Sequence, residues 1–98
     1  MYYVYILRCE DNSLYTGITK DVHKRFEQHA LGVGAKYTKS HKVKSIELVI
    51  CTVSKSEALK LEYKIKKLTK SDKEKLIQLN QYVMIKLEIN ETNIEKSN

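Results

Sequence analysis

The stretch YYVYILRCEDNSLYTGIT, residues 2–19, decides the fold of this chain. Its first half, Tyr2 to Cys9, alternates in polarity and is rich in Tyr, Val and Ile, which is typical of a β-strand. Residues 10–13 have the composition of a turn, and residues 14–19 are strand-like again. We therefore expect the two segments to form an antiparallel hairpin.

The side-chain pattern also predicts the register of this hairpin. The aliphatic residues should share one face: Val4, Ile6, Leu14 and Ile18. The other face would then carry tyrosines and a glycine: Tyr3, Tyr5, Tyr15 and Gly17. This arrangement requires a bulge or an odd-numbered connection, so we expect three or five residues between the strands. Gly17 would let the substrate or the first helix approach the backbone closely.

Helix signals follow the hairpin. Asp21 is a good N-cap for a helix that runs to about Leu31, and Gly32 should end it. The apolar stripe of this helix would consist of Val22, Phe26 and Ala30. Arg25 and His29 are also four residues apart, so we expect them to point the same way.

The rest of the chain predicts one more strand and two more helices. Residues 32–44 have the polar, basic composition of a loop, and the apolar run at residues 48–51 suits a strand covered by helices on both faces. Capping boxes at residues 54–57 and 71–74 each begin a helix. The order β-β-α-β-α-α predicts an α+β fold, a short three-stranded mixed sheet flanked by helices. This domain would span residues 1–80, followed by a partly disordered extension over residues 81–98 in which residues 82–89 form a strand or pack on a neighbour.

The length of 98 residues allows one domain. There is no long apolar run and no signal-peptide pattern, so we expect a cytoplasmic protein without membrane contact. The net charge of +6 favours acidic partners, nucleic acid above all, although solvated lysines would give the same charge. Cys9 and Cys51 are expected to be buried free thiols rather than metal ligands or a disulfide.

Two charged side chains have the chemistry that phosphate groups and divalent metals require. The guanidinium of Arg25 offers a planar fork to phosphate oxygens and keeps its charge at every relevant pH. Glu62 borders the buried stripe of the long helix. It would either form an ion pair with Lys66, four residues on, or hold a divalent cation.

Three further side chains could move protons. The phenols of Tyr5 and Tyr15 share the face that is not aliphatic, and His29 lies near them in the expected fold. A phenol is a poor base at neutral pH unless a nearby cation stabilises its anion, and Arg25 or a metal ion would do so. The alternative for each of these residues is a packing or helix-edge role.

A basic segment between the first helix and the third strand has the composition of a nucleic-acid contact. Lysines neutralise phosphates, and an exposed aromatic ring can stack on a base. The candidate contacts are Lys36, Tyr37, Thr38, Lys39 and His41. The alternative is a solvated loop without a ligand.

In its order of motifs, the chain resembles the GIY-YIG nuclease domain, and most closely its small stand-alone UPF0213 branch. The motifs are YVYIL at residues 3–7, LYTGIT at residues 14–19, the helix with Arg25 and His29, and GAKYT at residues 34–38. The similarity runs from Met1 to about Ile77.

This resemblance implies a metal-dependent DNA endonuclease in repair or recombination. The active-site positions would be Tyr5 as general base, Tyr15, Arg25 and His29, with Glu62 holding one Mg²⁺ or Mn²⁺. The partners would be DNA or RNA and a targeting protein, and the chain would be a monomer or a weak dimer. A non-catalytic nucleic-acid-binding module of the same fold is the alternative.

The chain departs from the wider family in ways that bear on catalytic strength. Many of these nucleases have a lysine just after the second motif, where this chain has Ile18. Lys20 and Lys24 are the candidates to replace it. Some members also use an asparagine after the metal-site helix, and Asn80 is the nearby option.

Overall fold

The structure, a computed structural model, describes residues 1–80. Its elements are β1 (Tyr2–Cys9), β2 (Leu14–Thr19), α1 (Val22–Ala30), α2 (Lys36–His41), β3 (Val43–Thr52) and α3 (Lys55–Lys66). All of them belong to a compact unit of residues 1–68, and a second unit covers residues 69–98. In the second unit residues 70–80 are helical. The predicted extension, residues 81–98, lies outside the described residues.

The sheet has the strand order β2-β1-β3, and both strand pairs are antiparallel. The predicted three-stranded α+β architecture is confirmed, but the prediction of a mixed sheet is wrong. The reason is that β1 occupies the middle position and runs opposite to both of its neighbours. β2 and β3 run in the same direction without being paired to each other.

The register of the hairpin is as predicted. Tyr5 lies opposite Gly17 and Leu7 opposite Tyr15, so these side chains share one face of the sheet. The last pair between β1 and β2 is Arg8 with Leu14, so residues 9–13 connect the paired positions. The connection has five residues, an odd number as expected. This face with Tyr5, Tyr15 and Gly17 is called the tyrosine face below.

The centre of the core is β1, which is buried on both faces. Four consecutive residues of this strand, Val4 to Leu7, are each at most 2% exposed. The prediction that β3 is covered on both sides is wrong: Val49 is 40% exposed and Cys51 is exposed as well. Leu48, on the opposite face of β3, is 3% exposed, so the strand is covered on one face and open on the face of Val49 and Cys51. Cys9 is the buried free thiol that was expected, and Cys51 is an exposed one.

Both ends of α1 follow the predicted capping. The side chain of Asp21 accepts a hydrogen bond from the backbone N–H of Lys24 at 3.1 Å. At the other end Gly32 has a φ of 77°, and its N–H donates to the carbonyl of His29. A left-handed glycine after the last turn is a common helix stop. Ala30 is exposed and does not belong to the apolar stripe.

The segment predicted to be a loop contains a helix, α2. Its N-cap residue, Ala35, makes no side-chain capping bond, and its C-cap residue, Lys42, has a φ of 40°. Because α2 has neither a polar N-cap nor a C-terminal glycine, the usual start and stop signals of a helix are missing. α2 packs against α1, whereas α3 packs against all three strands.

Within residues 1–80, none of the helices combines the length and the apolar composition that a membrane span requires.

Candidate active site

A hydrogen bond between two buried side chains lies at the centre of the tyrosine face. Tyr5 comes from the middle of β1 and His29 from the last turn of α1. The phenol oxygen of Tyr5 and Nε2 of His29 are 2.9 Å apart, and the residues are 2% and 1% exposed. His29 is therefore an interior residue, not a polar residue at a helix edge.

Gly17 makes room for the phenol of Tyr5. A Cβ atom at position 17 would lie 2.5 Å from the phenol oxygen of Tyr5 and 2.6 Å from its Cζ. These distances are far below van der Waals contact, so a larger residue would displace the ring. The predicted close approach exists, but the approaching group is Tyr5 rather than the substrate or the first helix.

Thr38 holds the other side of the His29 ring. Its Oγ1 is 2.6 Å from Nδ1 of His29 and 3.0 Å from the carbonyl oxygen of Ala35. Thr38 is 1% exposed. Thr38 therefore does not lie at the surface with the other predicted nucleic-acid contacts, because its hydroxyl faces the protein interior and is bonded there.

Gly34 lets the backbone cover the same ring. A Cβ atom at this position would clash with Nδ1, Cγ and Cε1 of His29. Sequence reasoning missed this role, because Gly34 was noted only as the start of the GAKYT motif. The GAKYT motif did contain a signal for this role. Its Gly34 precedes α2 and its Thr38 lies in the first turn of α2, which packs on α1.

Tyr15 connects the buried pair to the surface. Its ring is 5.2 Å from the His29 ring in an edge-on arrangement and 6.4 Å from the Tyr5 ring. On the outside it stacks with Tyr37 at 5.9 Å. Tyr15 is half-buried, so it lies between the interior and the solvent.

The charge of Arg25 acts on both members of the buried pair. Burial raises the pKa of Tyr5, whereas the guanidinium of Arg25 lowers it as a hydrogen-bonding group and as a charge. Burial also lowers the pKa of His29, and the positive charge of Arg25 lowers it further. Both effects favour the neutral form of His29. Arg25 itself donates from Nη1 to Oε1 of Gln28 at 3.0 Å.

Glu62 lies on α3 and acts on Tyr5 through its charge. Its charge adds to the rise in the pKa of Tyr5. The ion pair with Lys66 that was one alternative is present, with 3.5 Å between Nζ and Oε2, and the Glu62 side chain is 18% exposed. In the described part of the chain, no group of three or more His, Cys, Asp or Glu side chains is arranged to hold a metal.

The outer side of α2 carries the other predicted nucleic-acid contacts. Tyr37 is 37% exposed and stacks on His41 with 4.1 Å between the ring centres. Nδ1 of His41 is 2.6 Å from a carboxylate oxygen of Asp11 in the hairpin connection. Lys36 and Lys39 are exposed.

A basic groove begins beside Arg25. It has a volume of about 430 Å³, and its cationic lining residues are Lys20, Lys24 and Arg25. Ile18 lines it as well. The structure thus brings the two lysines that could replace the missing lysine at position 18 into the same groove as the arginine.

Comparison with known proteins agrees with this geometry. The GIY-YIG catalytic domain matches residues 1–78. The UPF0213 protein FN1575 of Fusobacterium nucleatum is 57% identical over 76 residues, which cover 78% of this chain and 76% of that protein. A UPF0213 protein of Cronobacter sakazakii is 47% identical, with 78% and 80% covered.

A solved structure shows a similar fold. The solution NMR structure of the UPF0213 protein BH0048 from Bacillus halodurans is 45% identical, has a TM-score of 0.53, and matches over 81% of this chain and 85% of its own. Both the sequence match and the fold therefore agree with the resemblance that the motifs suggested. This chain belongs to the GIY-YIG family, in the group of the UPF0213 proteins.

Proposed function

We propose that this protein is a metal-dependent endonuclease that hydrolyses phosphodiester bonds in DNA during repair or recombination. Membership of the GIY-YIG family supports a nuclease-type hydrolase in general. The observation that carries the finer proposal is the buried Tyr5–His29 pair, which lies within the electrostatic reach of Arg25 and Glu62.

Arg25 is the phosphate-binding group of this proposal. It is half-buried and lines the basic groove. A fixed guanidinium can bind two phosphate oxygens at once, and it stabilises the negative charge that grows on the phosphate in the transition state. The same charge favours the ionised form of Tyr5.

Tyr5 is the general base of this proposal. As a phenolate it would take a proton from the attacking water, and the water oxygen would then form the new bond to phosphorus as the 3′ oxygen leaves. Burial opposes this ionisation by raising the pKa of Tyr5, whereas Arg25 promotes it. Tyr5 needs that cation, because an unassisted buried phenol would stay protonated at neutral pH.

Glu62 is the side chain that would hold Mg²⁺ or Mn²⁺. Its carboxylate is only partly exposed and lies close enough to Tyr5 to affect its pKa. A single carboxylate fits these ions, which are often bound through one or two carboxylates together with water and substrate phosphates. When bound, the ion would supply charge neutralisation at the phosphate and at the leaving oxygen.

Two basic surfaces would hold the nucleic acid on either side of the site. The groove with Lys20 and Lys24 continues from Arg25. The outer side of α2 adds Lys36, Lys39 and the exposed ring of Tyr37. Lysines placed in this way neutralise phosphates without reading sequence, so any sequence preference would need a separate targeting partner.

A non-catalytic nucleic-acid-binding module is the second candidate function. Ile18 favours it, because the lysine that many family nucleases have at this position is missing. Under this alternative the basic surfaces would bind DNA or RNA, and Glu62 would serve only in its ion pair with Lys66.

Cleavage of labelled single-stranded, duplex and branched DNA with Mg²⁺, Mn²⁺ or EDTA tests the proposal. We expect cutting that needs the metal and is lost in Glu62→Gln. Glu27→Gln, an exposed carboxylate on α1, is the matched control and should cut normally. Binding without cutting under every metal condition would instead support the non-catalytic module.

A further inference from the structure

The hydroxyl group of Tyr5 is buried and has two side chains as hydrogen-bond partners. Arg25 is one of them. A guanidinium carries only donors, so Arg25 binds the phenol oxygen and cannot receive the phenol hydrogen. Nε2 of His29 is the other partner, at 2.9 Å. Tyr5 is 2% exposed, and a buried donor without an acceptor costs about 1–3 kcal/mol. The phenol hydrogen therefore points to Nε2, which accepts it as an unprotonated nitrogen.

The other ring nitrogen of His29 then carries the hydrogen. Burial and Arg25 favour the neutral imidazole by lowering the pKa of His29, and a neutral imidazole has one N–H. Nδ1 is 2.6 Å from Oγ1 of Thr38. The hydroxyl hydrogen of Thr38 has its own acceptor, the carbonyl oxygen of Ala35 at 3.0 Å. The oxygen of Thr38 is thus available to accept the hydrogen on Nδ1.

The backbone N–H of Ala35 does not oppose this assignment. Its nitrogen is 3.4 Å from Nδ1, which is longer than the usual range for an N–H donor, and the contact is only partly buried. A partly buried amide can bind water instead. It therefore loses less without Nδ1 than the buried hydroxyl of Tyr5 would lose without Nε2.

The side chains then form one chain of hydrogen bonds that all run in the same direction. Arg25 donates to Tyr5, and Tyr5 donates to His29. His29 donates to Thr38, and Thr38 donates to the carbonyl of Ala35. We propose that Thr38 is a positioning residue, whose hydroxyl oxygen holds His29 in the tautomer with its hydrogen on Nδ1. Nε2 is then the acceptor for the hydrogen of Tyr5.

This tautomer gives the proton of Tyr5 a destination. Tyr5 becomes a phenolate only when its O–H bond breaks, and the proton then forms an N–H bond at Nε2 of His29. The imidazole becomes a cation with hydrogens on both nitrogens, and the phenolate takes a proton from the attacking water. Burial and Arg25 disfavour this cation, so the neutral ring is the resting state. Only this catalytic consequence rests on the proposed function, whereas the tautomer is a property of the folded chain.

Long-range ¹H–¹⁵N NMR correlation at neutral pH tests the assignment, because it distinguishes a protonated ring nitrogen from an unprotonated one. The His29 signals are identified by their loss in His29→Gln. We expect a protonated Nδ1 and an unprotonated Nε2 in the wild type and in Thr38→Ser, which keeps the hydroxyl. Thr38→Val leaves the hydrogen on Nδ1 without an acceptor, so we expect part of the population to carry it on Nε2 instead.

Thr52→Val is the matched control. Thr52 is also a buried threonine, 8% exposed, but its hydroxyl donates to the backbone carbonyl of Tyr2 at 2.8 Å. The variant removes a buried hydroxyl and leaves the hydrogen bonds of His29 in place. We therefore expect the tautomer of the wild type in Thr52→Val.

Three results would overturn this inference. A hydrogen on Nε2 in the wild type would do so without any variant having to fold. An unchanged tautomer in folded Thr38→Val, or an equal change in Thr52→Val, would show that Thr38 does not select the tautomer. The spectra do not depend on cleavage, so a protein that cuts no DNA would contradict the proposed function and still decide the tautomer.

Discussion

The two sides of α2 differ in almost every physical property. The inner side carries Thr38, which is 1% exposed and bonded to the neutral ring of His29. The outer side carries exposed lysines and Tyr37, which stacks on His41. A helix of six residues therefore connects the proposed chemistry to the proposed substrate surface. The difference teaches that residues adjacent in sequence can have separate surroundings, and under the proposed function they would serve separate steps, positioning inside and binding outside.

The two histidines show the same contrast. The imidazole of His29 is buried and contacts the phenol of Tyr5 and the hydroxyl of Thr38, and its burial lowers its pKa. His41 remains in contact with solvent and pairs with the carboxylate of Asp11. The surroundings, not the residue type, decide whether an imidazole lies buried between two hydroxyl groups or binds a carboxylate at the surface.

The largest effect on stability is expected from a change that fills the inner side. Gly34→Ala places a methyl group against the His29 ring, where the structure has no room for it. Overpacking of this kind costs about 1–3 kcal/mol, which lowers the melting temperature by roughly 4–8 °C per kcal/mol in a domain of this size. Calorimetry of Gly34→Ala beside Lys36→Ala measures it. Equal melting temperatures for the two variants would show that the inner side tolerates the methyl group.

The next change removes one polar group from each side. Thr38→Val takes the hydroxyl from His29 and should lower the free energy of unfolding by about 1–3 kcal/mol, because buried polar groups lose their partner. Lys39→Ala removes an exposed side chain and should change it by less than about 0.5 kcal/mol. Urea denaturation compares them. The contrast between the two sides fails if Lys39→Ala is as destabilising as Thr38→Val.

The sequence predicted the hairpin well because its register follows from alternation alone. The tyrosine face, the five-residue connection and the caps at Asp21 and Gly32 all depend on local residue patterns. The helix α2 could not be predicted in this way. Its stability comes from packing on α1 rather than from capping residues, and single-sequence patterns do not record such tertiary contacts.

The sequence identified most residues of the candidate site, but it did not show how their side chains are arranged. Tyr5, Arg25 and His29 were identified through spacing and motif order. Of the partners of His29, a tyrosine was expected but Thr38 was not, because Thr38 in a basic segment has the composition of a solvent-exposed residue. Only the fold shows that its hydroxyl is directed inward.

A smaller effect is expected from the lysines on the outer side. Each phosphate contact that is lost reduces the slope of log binding constant against log salt by about 0.7–0.9. Lys36→Ala combined with Lys39→Ala should therefore lower the slope by about 1.5 while the fold stays intact. Fluorescence anisotropy between 50 and 200 mM salt (roughly the range in which such slopes are measured) gives this value. An unchanged slope would remove the outer side of α2 from the binding surface.

The smallest effect concerns the ion pair of the outer side. Hydrogen bonds from Ser13 and from His41 lower the pKa of Asp11 to about 2. Because this pKa is below the ordinary value, the stabilisation is present above about pH 4 and is lost as the pH falls toward 2. Carboxyl ¹³C NMR should give a midpoint near 2. Ser13→Ala should raise the midpoint most and His41→Ala less, and a midpoint at the ordinary value in the wild type would contradict the pairing.

The most direct test of the account separates cleavage from binding. Tyr5→Phe removes one buried oxygen and leaves the outer side of α2 unchanged. General-base catalysis contributes about 10²–10⁴-fold, so single-turnover cleavage of DNA should fall by at least about a hundredfold while the dissociation constant stays within about twofold. The variant with Lys36→Ala and Lys39→Ala should show the reverse. Normal cleavage by Tyr5→Phe, or an equal loss of binding in both variants, would contradict the assignment of chemistry to the inner side and binding to the outer side.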